Sequence, residues 1–243
     1  MTGNAAAVDH NAQTRMAIAA IDRILDAAAA EPDLLTRDVP GCPGWTTYDL
    51  VAHLGEVHRW VVTAIDERHG RGTSPAPPRE PEALRAWFAE GAAVLLDRLA
   101  GPPDTPVWTF SAVPGHDNLA FWRRRQAHEN LIHRYDAQAA TGVPDPLDPM
   151  LAADGIAEVI EAFIPRMRAR EILGELPSTV RVRATDLGTE WLIGDHPRRV
   201  VAEVAGTAQD LLLHLWKRAG EERLTWSGDA DAGRATLSRP LVP

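Results

Sequence analysis

Apolar side chains recur every three to four positions through most of the first 142 residues, the signature of helices with one buried face. Over residues 14–30, Ile18, Ile21, Leu25 and Ala28 share such a face. The stretch EPDLLTRDVPGCPG breaks the pattern with proline and glycine and reads as a loop. Helical spacing returns in WTTYDLVAHLGEVHRWVVTAIDERHG, where Thr46 is placed to cap the helix and Asp49 falls in its first turn. Leu50, Leu54, Val57, Val61 and Ile65 form its core face, and Gly70 is the expected stop. After the loop TSPAPPREP, Pro81 suits the first position of a third helix carrying Leu84, Trp87, Phe88, Leu95 and Leu99. A second Pro-rich loop, GPPDTPVWTFSAVPGH, leads into a fourth helix over about 118–141, ended by Gly142. Four such helices with polar outer faces predict a four-helix bundle over residues 1–142.

The pattern changes after VPDPLDP, which makes 143–149 the expected linker. One more helix is predicted over 150–173. Then TVRVRAT alternates with period two, DLGTE supplies a turn, and EWLIG and RRVVAEVAG read as strands. TAQDLLLHLWKRAG is amphipathic with Thr207 as its cap and Asp210 three positions on, and RLTWSGD reads as a last strand before a short helix. Residues 150–243 are thus expected to form a small α+β domain, and the whole chain is an α+β two-domain protein.

Composition narrows the function. The chain has 243 residues and a formal net charge of −9, which argues against a sequence-independent nucleic-acid binder and means that an anionic substrate needs a locally basic pocket. Cys42 is the only cysteine, so intrachain disulfides and multi-Cys zinc sites are excluded. The opening MTGNAAAVDHNAQTR lacks the basic and apolar regions of a signal peptide, and no apolar run reaches the roughly 18 residues of a membrane span. The expected location is cytoplasmic, with no membrane and no nucleic-acid partner. Only Lys217 among the 25 basic residues is lysine, and with abundant alanine this reads as the codon bias of a GC-rich genome.

The candidate chemistry lies in HENLIH on the fourth helix. Glu129 and His133 are four residues apart and share one face, so a carboxylate and an imidazole can converge on one cation. His128 lies about 100° around the helix and does not join them. Asp136 follows His133 by three and can hold its ring. A third ligand must come from another helix. The second helix offers His53, on the core-facing stripe between Leu50, Leu54 and Val57, and His58, on a more mixed face. An E-x-x-x-H pair is equally what a solvated helix face looks like, and an inward histidine is often only hydrogen-bonded, so spacing alone leaves both readings open.

CPGWTTYDLVAHLGEVHRW resembles a motif of the mycothiol-dependent maleylpyruvate isomerase family, and RRQAHENLIHRYDAQAATG resembles its second, E-x-x-x-H-x-x-D motif. VRVRATDLGTEWLIG and VVAEVAGTAQDLLLHLWKR resemble its C-terminal domain. The resemblance implies a DinB-like four-helix bundle holding one divalent metal, usually zinc, through His53, Glu129 and His133. It also implies mycothiol, the low-molecular-weight thiol of actinobacteria, as cofactor or co-substrate. An arginine of the second domain is expected in the metal cleft, and Arg218, at the end of DLLLHLWKR, is the candidate.

The remaining residues carry plainer expectations. Cys42 reads as structural, packed under Trp45, and Trp45 as a staple between loop and helix rather than a ring on the site. Arg123 to Arg125 read as a solvated first turn or as a patch that steers an anionic thiol. Glu56 reads as a polar rim residue. A metal-activated thiol acting on a small electrophile allows two reactions, S-transfer and cis–trans isomerisation. A metal-dependent hydrolase and a non-catalytic metal-binding bundle are the alternatives. The chain is expected to act as a monomer or homodimer.

Overall fold

The computed structural model describes residues 8–243; part of the segment on which the absence of a signal peptide was argued lies outside them. Two compact units result. The first comprises the residues through Phe110 together with Gly115–Asp145, and the second comprises Ser111–Pro114 and Pro146–Pro243. The division falls inside the expected linker, whose first half is tied to the first unit. Gln138 there donates to Asp145 Oδ2 (2.7 Å), and the Asp145 N–H donates back to Gln138 Oε1 (3.1 Å).

The first unit is the predicted bundle: α1 (His10–Ala30), α2 (Thr47–Asp66), α3 (Pro81–Leu99) and α4 (Leu119–Thr141). Helix α2 starts in a full capping box. The Thr46 hydroxyl accepts from the Asp49 N–H, and the Asp49 carboxylate accepts from the Thr46 N–H at 2.9 Å, which stabilises the helix start by about 1 kcal/mol. Asn118 caps α4 by accepting from the Phe121 N–H. Ile21, Leu25, Leu50, Leu54, Leu84, Phe88, Leu95, Leu99, Trp122 and Ile132 are fully or almost fully buried, so the apolar stripes meet as expected. Gly55 lets α3 approach α2: a Cβ there would stand 2.1 Å from Trp87 Cζ3.

Gly70 does not stop α2. The helix ends at Asp66, capped by Glu67, and Arg68 takes a left-handed φ of 57°. Gly70 instead lies under an indole, since a Cβ there would be 2.2 Å from Trp108 Cη2, and its carbonyl accepts from the Trp60 indole at 3.1 Å.

The second unit begins with α5 (Pro149–Glu158), which passes through a π-helical turn (Val159–Phe163) into α6 (Ile164–Ala169). The predicted helix over 150–173 is therefore interrupted, where Pro165 has no N–H to give the preceding turn. Strands β1 (Thr179–Ala184), β2 (Thr189–Ile193), β3 (Val200–Gly206) and β4 (Thr225–Gly228) form one sheet in the order β2-β1-β3-β4. The β1–β3 pair is parallel and the others antiparallel. Gly188, at φ 67°, closes the β1–β2 turn as DLGTE predicts. Helices α7 (Ala208–Leu215) and α8 (Ala230–Leu237) both pack on β1 and β3, burying Val180, Val182, Val204, Leu211 and Leu237. Helix α7 ends three residues before Arg218. Trp216 caps it and Lys217 turns left-handed (φ 61°), so Arg218 lies beyond the helix rather than closing it.

Candidate metal centre

The loop before α2 is set by its own sequence. In Cys42-Pro43-Gly44-Trp45 the proline fixes the second position of a tight turn and Gly44 takes the positive φ (84°) that the third requires. The Trp45 N–H donates to the Cys42 carbonyl at 3.0 Å, and the Val39 N–H to the Trp45 carbonyl at 2.9 Å. The turn thereby delivers Cys42 and Trp45 to the face of α2 that carries His53.

There, three side chains from two helices converge. Glu129 Oε1 lies 3.4 Å from His53 Nε2 and 3.5 Å from His133 Nε2. All three donor atoms lie within 4.8 Å of one another. Both separations exceed the usual 2.7–3.2 Å of a nitrogen–oxygen hydrogen bond. Tetrahedral bonds of about 2.0–2.2 Å would put neighbouring donors roughly 3.3–3.6 Å apart, which is the spacing of both oxygen–nitrogen pairs. One carboxylate oxygen and two imidazole nitrogens are also a donor set that zinc accepts, so the residues fit a divalent cation.

The surroundings hold the donors in place. His133 Nδ1 donates to Asp136 Oδ2 at 3.1 Å, which turns Nε2 toward Glu129. Asp136 is itself buried and also takes Cys42 Sγ at 3.5 Å. The Trp45 indole lies 4.9 Å from the His53 ring and is stacked on the His133 ring at 6.3 Å and 21°. Arg125 Nη2 donates to the other oxygen of Glu129, Oε2, at 2.9 Å.

Electrostatics favour positive charge at this point. Burial opposes ionisation of Glu129, yet the His133 and His53 imidazoles facing its Oε1, with the charge of Arg125, hold its carboxyl well below the ordinary range. Burial also opposes a proton on His133, but Asp136, Cys42 and Glu129 outweigh it and raise that imidazole well above its usual range. The carboxylates thus favour a positive charge between them.

Other expectations need correction. His58 does not sit on a mixed face; it is fully buried, with Nε2 2.9 Å from Asn130 Oδ1. Because the Asn130 amide donates to the Gln126 carbonyl (2.8 Å), Asn130 Oδ1 is the acceptor and His58 carries its proton on Nε2. His58 Nδ1 is buried with no hydrogen-bond partner among the described residues, and desolvation pushes the imidazole down to about 4. Trp45 is more than a staple, since it covers both histidine rings. Cys42 reaches Asp136, beyond its packing with Val39 and Leu50. Arg123 and Arg125 are not a solvated turn: Arg123 bonds the Leu99 and Gly101 carbonyls, and Arg125 is buried on Glu129. Their chain neighbours gave one signal, the four-residue spacing of Arg125 and Glu129. His128 turns to α1, edge-on to His10 at 6.0 Å, and Glu56 is exposed as expected. Arg218 belongs to the second unit, where Nη1 donates to the Trp216 carbonyl at 2.8 Å.

Residues 14–138 match the family description Mycothiol maleylpyruvate isomerase N-terminal domain, and residues 150–235 match MDMPI C-terminal domain. The chain belongs to the mycothiol maleylpyruvate isomerase family. Its fold agrees with a crystal structure of the mycothiol-dependent maleylpyruvate isomerase, at a TM-score of 0.63 over 90% of this chain and 91% of that one, with 14% identity. The H52A mutant of that enzyme superposes equally well. Two uncharacterised proteins of Mycobacterium tuberculosis, from the Oshkosh and H37Rv strains, are each 29% identical over 131 residues. Those matches span 52% of this chain and 66% of each relative. Among the described residues no helix is long and apolar enough to cross a membrane.

Proposed function

We propose that this family member is a metal-dependent enzyme that uses mycothiol as a thiol cofactor or co-substrate. It acts as an S-transferase or a cis–trans isomerase on a small electrophile. The observation that carries the reading is the convergence of His53 Nε2, Glu129 Oε1 and His133 Nε2 within 4.8 Å of one another, with both nitrogens 3.4–3.5 Å from the carboxylate oxygen. The family's name, and that of the solved structure sharing the fold, support mycothiol as the thiol.

In this reading the three side chains hold one divalent cation, zinc for preference. When bound, the metal supplies Lewis-acid chemistry that keeps a thiol deprotonated at neutral pH. The chain's own residues prepare that chemistry. Asp136 keeps the proton of His133 on Nδ1, so that Nε2 faces the cation. Glu129 stays ionised and brings the net charge of the ligand set to −1. Trp45 shields the two imidazoles from water on one side. Cys42 is taken up by Asp136, so the reacting thiol is external. Arg218 is proposed to hold a carboxylate of the substrate or thiol through its guanidinium fork.

The deciding experiment measures metal content and turnover of an electrophilic α,β-unsaturated carbonyl acid with and without mycothiol. The reading expects about one equivalent of metal and turnover only when mycothiol is present. Equal rates without the thiol would favour the hydrolase alternative, and metal-replete protein with no turnover of any electrophile would favour a binding bundle.

A further inference from the structure

Glu129 has two carboxylate oxygens, and the fold treats them differently. Oε1 faces His53 and His133, at 3.4 and 3.5 Å, whereas Oε2 accepts from Arg125 Nη2 at 2.9 Å. The Arg125 side chain is only 3% exposed, so a guanidinium has been taken out of water one turn before the ligand face. The order along the helix is the poorer one for an i, i+4 ion pair, since acid before base is the more favourable arrangement, so helix stability does not explain the pairing. A task on the carboxylate does.

A carboxylate with both oxygens free can chelate a cation through the pair and occupy two coordination positions. With Oε2 engaged, one oxygen remains. We propose that Arg125 is a positioning residue that makes Glu129 a one-oxygen ligand and so keeps a coordination position open for the external thiol. Its charge also offsets that of the carboxylate, so a cation held beside it is less neutralised by its ligands and polarises a bound thiol more. The proposal rests on the metal-site reading above. It assigns Arg125 no contact with substrate.

Cobalt(II) reads coordination number directly, because four-coordinate cobalt absorbs visible light several-fold more strongly than five-coordinate cobalt. Protein stripped of metal and reloaded with cobalt is compared as wild type, Arg125→Met, Arg125→Lys and His133→Ala. The wild type should show the intense band at one equivalent. Arg125→Met should show a weak band at one equivalent, as a second carboxylate oxygen joins the cation. Arg125→Lys, which keeps a donor for Oε2, should retain the intense band. An Arg125→Met protein that binds cobalt with the wild-type band would overturn the proposal while leaving the metal site standing. No stoichiometric cobalt in the wild type would remove the metal-site reading, and this proposal with it. Should neither Arg125 variant fold, a zinc-loaded crystal structure of the wild type decides: one Glu129 oxygen on the metal supports the proposal, and two overturn it.

Discussion

Asp136 and His133 are joined by a buried 3.1 Å hydrogen bond across one turn of α4, from the ring Nδ1 to Oδ2. This bond fixes Nδ1 as the donor and turns Nε2 toward Glu129. In Asp136→Asn the acceptor loses its charge and the ring its fixed orientation. Zinc affinity should fall by about 10–100-fold, measured by competition with a chromogenic chelator. Unchanged affinity would mean that Asp136 serves packing alone.

The ligand assignment predicts a sharper loss. His53→Ala and His133→Ala should each release about one equivalent of metal on dialysis, read by plasma emission analysis. His58→Ala should keep its metal, because His58 is spent on Asn130. Full retention in His133→Ala would remove the assignment, and loss in His58→Ala would point to the wrong histidine.

Stability should depend on pH through His58. Its pKa is about 4 in the folded protein against 6.5 for the free side chain. The unfolded chain therefore binds a proton that the folded chain refuses between these values. The contribution is fully present above about pH 6.5 and is lost as pH falls toward 4, for a total of about 3 kcal/mol. Urea midpoints between pH 7 and pH 5 should drop in the wild type and drop less in His58→Gln. Parallel slopes would show that His58 does not titrate this way.

Packing sets a second stability test. Gly55→Ala places a methyl group 2.1 Å from the Trp87 ring, so α2 and α3 must separate or the indole must move. Overpacking of this kind costs about 1–3 kcal/mol, readable as a lower urea midpoint at constant slope. A gain in stability, as helix propensity alone would predict, would show that the contact relaxes freely.

Arg218 carries the prediction that reaches into the second unit. Arg218→Ala should weaken transition-state binding by about 2–5 kcal/mol in the mycothiol assay while leaving metal content unchanged. Wild-type rates would exclude it from the chemistry.

Much of the molecule was legible in the residues because the deciding forces are local. The apolar period of Leu50, Leu54 and Val61 places a buried stripe, and Thr46 with Asp49 closes a capping box four residues long. Glu129 and His133 share a face for the same reason, a fixed 100° per residue. The motif around Trp45 was equally readable, since a Pro-Gly pair admits few turns. What an isolated sequence leaves open is which distant atoms meet. His53 and His58 both lie on α2, and only the packing of α2 on α4 sends one to Glu129 and the other to Asn130, 76 and 72 residues away. Arg125, which composition reads as solvated, is buried, because burial depends on the tertiary surroundings and not on the charge. Trp45 over the imidazoles, Gly70 under Trp108 and the early end of α7 at Leu215 were likewise decided in three dimensions. Trp45 reaching His133 and Gly70 lying under Trp108 depend on contacts between residues 88 and 38 positions apart, whose strength no local propensity encodes.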